Sequence, residues 1–379
     1  MKKKRLLYFS GYDYHKSTFI RQDVEAMSNH FDTKYISYVD GELNSNLGQN
    51  SERVVFPESS FKSKVRWRLE AMGLIFNWQE KSYANKLKQA IDAFDPHVIH
   101  CQFSYEAAKL IQNYETDLPI VINFRGYGAS YKLHNKKYVS WLKKILNQKN
   151  IHPIFVSNSL KNNLLNKGVR FRNKPNILYT GVDSDIFKRM KNVRLENTVF
   201  LQVSNFNDKK GQEITIKAFS NYIKSRENRQ SRLVFVGDGK NMTKCKELVD
   251  SLNLQDKVLF KGGMNREQII SEMEKSSIFV HHSLTPPNGD QEGIPNSIIE
   301  AMSMELPILS TYHSGIPEAV EHGVNGFLCQ ENDIESYSKQ MSAIESWNYL
   351  TINREKVIEQ FNINSHIDQL KHIYYHILD

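Results

Sequence analysis

NTVFLQVSN (197–205), GQEITIKAFSNYIKS (211–225) and RLVFVGDG (232–239) follow one another closely. The first and third are continuous apolar runs, too short for helices and ending in polar turns. Such runs read as strands buried on both faces of a parallel sheet. The middle stretch has helical spacing. Strand, helix, strand at this length is one turn of a doubly wound α/β domain. The rhythm continues with a helix at 241–252, KVLFKGG (257–263), a helix at 265–275, SIFVHHS (277–283), LPILSTYHSG (306–315) and NGFLCQ (325–330). It also runs backwards through KRLLYFS (4–10), a helix at 18–31, HVIHCQF (97–103), PIVINFRG (119–126), HPIFVSN (152–158) and PNILYTGV (175–182). The rhythm breaks at DIFKRMKNVRLEN (185–197), so the chain divides into 1–190 and 191–361. Two doubly wound Rossmann-like domains are expected, with ligands off the carboxyl ends of their strands, where loops face an interdomain cleft.

A chain of 379 residues suits two such cores. The net charge of +8 is uneven: residues 1–190 carry 30 Lys and Arg against 17 Asp and Glu, and the remainder is net acidic. Basic residues gather in FKSKVRWRLEAM (61–72) and KLHNKKYVSWLKKILNQK (132–149), both with apolar residues at rough helical spacing. Each is a solvated face over a core-facing stripe, or a surface for anions such as a membrane or nucleic acid. The opening apolar run, LLYF, is too short for a signal peptide core or a membrane span. Cys101, Cys245 and Cys329 have no metal-type spacing, which fits a reduced, cytosolic compartment.

The chemistry concentrates in DQEGIPNSIIEAM (290–302). Asp290 to Asn296 occupy the loop after a strand, and Pro295 and Asn296 start a helix. The free N–H groups there face an anion such as a diphosphate. Glu300, one turn into the helix, points back towards its start and suits a vicinal diol. Glu292 suits the hydroxyls of a second sugar beyond the diphosphate. The competing reading is a helix cap and a surface acid. In KKG (209–211), Lys210 precedes a helix start and forms an anion site with it, or is a solvated loop lysine. Gly237 and Gly239 of GDG allow a phosphate or base to approach the backbone, or serve only a tight turn. His281 and His282 are adjacent on a strand and point to opposite faces, which argues against one shared metal.

The segment EGIPNSIIEAMSMELPILSTYHSGIPEAVEHGVNGFL (292–328) resembles the E-x7-E region of retaining GT-B glycosyltransferases of the family 4 type. GDQEGIPNSIIEAM is most similar to exopolysaccharide transferases of the colanic acid and amylovoran type. LQVSNFNDKKG resembles the family's G-R-L-x-x-K-K-G loop, STFIRQDVEAM (17–27) its S-x-T-F-I segment, and VIHCQFSYEAA (98–108) its H-x-H-F strand end. The resemblance implies that Lys210 holds the donor diphosphate and Glu300 the ribose diol. It places Glu292, Gly293, Ile294 and Pro295 at the transferred sugar, with Asn296 at the helix start. Lys261 and Gly262, with Gly237, would lie near the base. Asn205 stands where the family has Arg, Arg125 where many members have His, and Gln102 where the second His of H-x-H stands. Ser17, Thr18, Gln102 and Arg125 are then the acceptor-side residues, with Glu292, Lys210 and Arg125 catalytic. The family is usually metal-independent, and the last helix, within 362–379, often packs back on the first domain.

The expected protein is a metal-independent, cofactor-free hexosyltransferase of the cytosol, in peripheral contact with the inner face of an anionic membrane. It would move a hexose or N-acetylhexosamine from a UDP- or GDP-sugar to a surface glycan or lipid-linked oligosaccharide, without binding nucleic acid. Two alternatives are another GT-B nucleotide-sugar enzyme and a non-enzymatic basic module that binds membranes or nucleic acid.

Overall fold

A computed structural model describes residues 3–11, 18–40, 51–56, 81–190, 197–225, 230–347 and 352–379. Ser17 and the basic segment 61–72 lie outside these residues. The chain forms two units: Met1–Leu178 with His366–Asp379, and Tyr179–Ser365.

The first unit holds β1 (Arg5–Ser10), β2 (Asp32–Asp40), β3 (Ser51–Phe56), β4 (Val98–Cys101), β5 (Ile120–Phe124), β6 (Ile151–Phe155) and β7 (Asn176–Ile177). They make one parallel sheet of order β3-β2-β1-β4-β5-β6-β7. Alternate residues feed two cores. Leu7, Phe9, Ile99, Ile122 and Phe124 are buried on one face. Leu6, Tyr8, Val98, Val121 and Ile154 are buried on the other. Burial on both faces is why these strands read as unbroken apolar runs.

The second unit holds β8 (Val199–Val203), β9 (Arg232–Val236), β10 (Val258–Phe260), β11 (Ile278–Val280), β12 (Ile308–Thr311) and β13 (Gly326–Cys329). Their order is β10-β9-β8-β11-β12-β13, again parallel. Both orders reverse direction at one place, between β1 and β4 and between β8 and β11. Such a switch point opens a crevice at the carboxyl ends of its two strands.

Two expectations are corrected. The division falls after Leu178 rather than after 190. Val182 and Phe187 are buried in the second unit's core, and the Val182 N–H donates to the Phe361 carbonyl at 2.8 Å. For the same reason the strand expected over 175–182 shrinks to Asn176–Ile177: the chain leaves the sheet to cross over. The last helix, Ile363–Leu378, buries Leu370 and Tyr374 among first-unit residues. The Tyr374 hydroxyl lies 2.5 Å from His100 Nδ1, and His366 Nε2 lies 2.9 Å from Asp23 Oδ1.

The basic stretch 132–149 folds with its stripe inward. Tyr138, Leu142 and Ile145 are buried, while Lys136, Lys137, Lys143 and Lys144 are exposed.

Candidate functional site

The switch point of the second sheet gathers most of the singled-out residues. From β8 the chain runs through a short 3-10 turn, Asp208–Lys210, to the helix Gln212–Lys224. Gly211 makes the joint with φ +58°, and a Cβ there would lie 2.0 Å from the His282 carbonyl oxygen. Glycine alone fits so close an approach. Below the turn, buried Gln202 donates to the Lys210 carbonyl at 2.8 Å and accepts from Thr215 Oγ1 at 3.1 Å. Gln212 donates to the Asn205 carbonyl at 3.0 Å, and the Asn205 residue is exposed. Gly237, at φ +131°, would place a Cβ 2.1 Å from the Ser204 carbonyl oxygen. GDG therefore has a structural reason for its first glycine.

The other side of the crevice is the loop from β11 to the helix Asn296–Ser303. Lys210 Nζ lies 3.0 Å from Glu292 Oε2, and Lys209 Nζ lies 3.2 Å from Glu292 Oε1 and 2.9 Å from Asp290 Oδ2. Partial burial favours a protonated Glu292. The facing Lys210 and Lys209 ammoniums outweigh it and hold the carboxyl well below the usual carboxylate range. Glu292 is thus an anion at any working pH. Lys209 was not among the expected site residues: its sequence neighbour Lys210 carries the same charge, and only the tight turn brings both onto one carboxylate.

Glu300 sits one turn into the helix, partly buried, and accepts no hydrogen bond from the described residues. Burial raises its carboxyl to about 7, and Arg266 opposes this only in part. Pro295 precedes the helix and is buried; Asn296 is exposed at its first turn. Ile294 packs on the core, and the Gly293 carbonyl accepts from Gly315 N at 3.1 Å. Gly237 N donates to the Gly262 carbonyl at 2.8 Å, and Asp238 Oδ2 accepts from Gly263 N at 2.6 Å. Lys261 lies 3.8 Å from Glu272.

A brace behind Glu292 escaped the sequence reading. The Glu292 N–H donates to His313 Nε2 at 3.2 Å, and His313 Nδ1 lies 2.6 Å from Glu331 Oε1. A backbone N–H can only donate, so Nε2 is the acceptor and Nδ1 carries the proton. Glu331 Oε2 also accepts from Thr285 N at 2.7 Å. The loop is thereby tied to the ends of β12 and β13. Glu331→Ala should lower stability by about 1–3 kcal/mol, because His313 Nδ1, the Thr285 N–H and the Thr285 hydroxyl lose their acceptor. Urea unfolding checks this, and an unchanged midpoint would show the brace to be idle.

His281 and His282 face apart. His281 Nδ1 meets Ser283 Oγ at 3.0 Å, and His282 Nε2 accepts from Asn332 N at 3.0 Å. Burial, aided by Lys210, holds His281 neutral.

The acceptor-side candidates belong to the first unit. Gln102 and Arg125 meet there, Nη2 to Oε1, at 3.5 Å. The Arg125 guanidinium lies over the Phe19 ring at 4.2 Å. Thr18 begins the helix Thr18–Ser28. The structure brings Lys210 to Glu292, Gly237 to Gly262, and Gln102 to Arg125.

Residues 183–361 match the model for glycosyl transferases group 1, and residues 58–186 that for glycosyltransferase family 4. The putative colanic acid biosynthesis glycosyltransferase WcaL of Salmonella typhimurium is 30% identical over 168 residues, 43% of this chain and 41% of that protein. The amylovoran biosynthesis glycosyltransferase AmsK of Erwinia amylovora is 31% identical over 164 residues, 43% of this chain and 40% of that protein. The chain thus spans about two fifths of the length of these curated relatives. Anabaena HepE, solved in complex with UDP and glucose, superposes with a TM-score of 0.73 at 17% identity, over 98% of this chain and all of that one. The fold is GT-B, with two Rossmann-like domains in one chain.

Proposed function

From a chain built of a group 1 glycosyl transferase domain and a family 4 domain, we propose a retaining, metal-independent hexosyltransferase of polysaccharide biosynthesis. Its donor is a UDP- or GDP-sugar, carrying a hexose or N-acetylhexosamine. Its acceptor is a hydroxyl of a surface glycan or lipid-linked oligosaccharide. The observation that carries this reading is a carboxylate, Glu292, held by Lys209 and Lys210 at the switch point of the second sheet.

In this reading Lys210 and the free N–H groups of the helix Asn296–Ser303 meet the donor diphosphate. Glu300 accepts from the ribose diol. Lys261, Gly262 and Gly237 adjoin the base, and Asn205 stands at the diphosphate loop. Glu292 and the Gly293–Ile294–Pro295 backbone hold the transferred sugar, ahead of Asn296. The bond from the anomeric carbon to the diphosphate breaks, and its electron pair leaves with the phosphate oxygen. Lys210 and the helix N–H groups stabilise that charge. The acceptor oxygen bonds on the same face, and its proton passes to the departing phosphate oxygen. Gln102 and Arg125, with Ser17 and Thr18, serve the acceptor.

No helix among the described residues is long and apolar enough to cross a membrane. The exposed lysines of the helix Lys136–Ile145 suit anionic headgroups, so we place the enzyme in the cytosol, touching the inner membrane face peripherally.

Thermal unfolding with UDP, GDP and ADP tests the reading: one should raise the midpoint, and failure of all three would sink it. Glu300 adds a pH signature. Its folded carboxyl titrates near 7 against an ordinary 4.5, so its burial costs stability as pH rises through that window. A diol prefers the ionised form as acceptor. Nucleotide affinity should therefore rise between about pH 6 and 8, with a proton released on binding. Calorimetry in two buffers of different ionisation enthalpy reads that proton, and Glu300→Gln should abolish it.

A further inference from the structure

The carboxyl edge of the first sheet carries a charge that meets no close acid among the described residues. Arg125 follows β5 directly, and its guanidinium is stacked on Phe19 at 4.2 Å. It makes no ion pair among the described residues. The acid that faces it electrostatically, Asp23, is engaged with His366 at 2.9 Å. Arg125 Nε is buried and has no hydrogen-bond partner among the described residues. Beside it, Gln102 is fully buried, with 0% exposure. An arginine can only donate, so the Gln102 oxygen faces it, at 3.5 Å. The Gln102 amide nitrogen is thereby turned away, and it too has no partner among the described residues.

Buried donors without acceptors cost free energy, and the half-buried guanidinium beside them keeps a charge with no close anion among the described residues. Both deficits lie together, and one ligand with oxygen acceptors and negative charge removes both. A sugar hydroxyl satisfies the donors and leaves the charge. A carboxylate or phosphate ester satisfies both, and its paired oxygens match the guanidinium fork.

We infer that Arg125 and Gln102 form an oxyanion site in the first unit, and that the acceptor is an acidic glycan bearing a carboxylate or phosphate group there. That the anion belongs to the acceptor rests on the transferase reading above; the oxyanion site itself does not. The bond-making hydroxyl lies elsewhere on the acceptor, and the acidic group sets its register. Neutral glycans of the same length bind without that anchor.

The test uses the full chain, with glucuronate, inorganic phosphate and neutral glucose at matched ionic strength, and UDP as a second ligand. Glucuronate and phosphate should raise the unfolding midpoint of the wild type, and glucose should not. Arg125→Gln should raise the half-saturating glucuronate concentration about tenfold or more, while its UDP shift survives and shows it folded. Lys210→Ala should do the reverse, shrinking the UDP shift at a fixed UDP concentration and keeping that of glucuronate. Should Arg125→Gln fail to fold, Gln102→Met makes the same test, with a several-fold weaker anion response. Phosphate acting without glucuronate assigns the group as a phosphate ester, and glucuronate without phosphate as a carboxylate. No anion shift in the wild type, or one undiminished in Arg125→Gln and Gln102→Met, overturns the site. A wild type that answers to none of UDP, GDP and ADP instead overturns the donor reading and leaves the oxyanion site standing.

Discussion

Glu292→Gln is expected to lower sugar transfer by about two to three orders of magnitude while nucleotide affinity stays within about threefold. The substitution keeps volume and removes only charge. Glu292 is an anion flanked by Lys209 and Lys210, at 3.2 and 3.0 Å. An amide in its place accepts less strongly from sugar hydroxyls and offers a developing positive sugar no negative charge. The nucleotide does not depend on it, because base, ribose and diphosphate are held by other groups in the proposed arrangement. Donor turnover with a radiolabelled sugar, beside UDP calorimetry, reads the two effects separately. Equal loss of both would contradict the separate role of Glu292.

Lys210→Ala should reverse the pattern, weakening nucleoside diphosphate binding by about tenfold to a hundredfold and lowering turnover with it. The ion-paired site explains why the loss is not larger. There Lys210 is paired with Glu292, so a donor diphosphate must compete for an ammonium that already has a partner. Lys209 stands beside it on Asp290 and Glu292, and takes over part of the work. A nucleoside without phosphates should lose little affinity in the same variant, and that comparison is the decisive measurement. A loss equal for nucleoside and nucleotide would mean that Lys210 shapes the loop and does not hold phosphate.

Most strands were legible because burial on both faces makes them unbroken apolar runs. β2, DTKYISYVD, was passed over because polar residues interrupt it: Thr33 and Ser37 are buried alongside Tyr35 and Ile36. The pairing of Glu292 and Lys210 is a contact between two loops, and no local pattern in either one announces it. The His313–Glu331 brace has a quieter signal. Thr311 pairs with Cys329 in the parallel register of β12 and β13, so residues two further along each strand meet at the sheet edge. That offset becomes readable only once the two strands are known to be neighbours. Lys209 was missed for a different reason, since charge is visible in a sequence and the direction of a side chain leaving a 3-10 turn is not.

The last helix has a consequence for synthesis. The first unit is discontinuous: Leu370 and Tyr374 close a core begun by Leu6 and Tyr8, more than 350 positions earlier. Residues 179–365 must be made before that core can close, so the second unit is the one able to complete its own fold first as the chain leaves the ribosome. Until residues 366–379 emerge, one face of the first sheet is covered only in part, by the helix Thr18–Ser28, and offers chaperones an apolar surface. A stop codon just ahead of this helix would spare every group at the second sheet's switch point, yet leave half of the molecule unfinished.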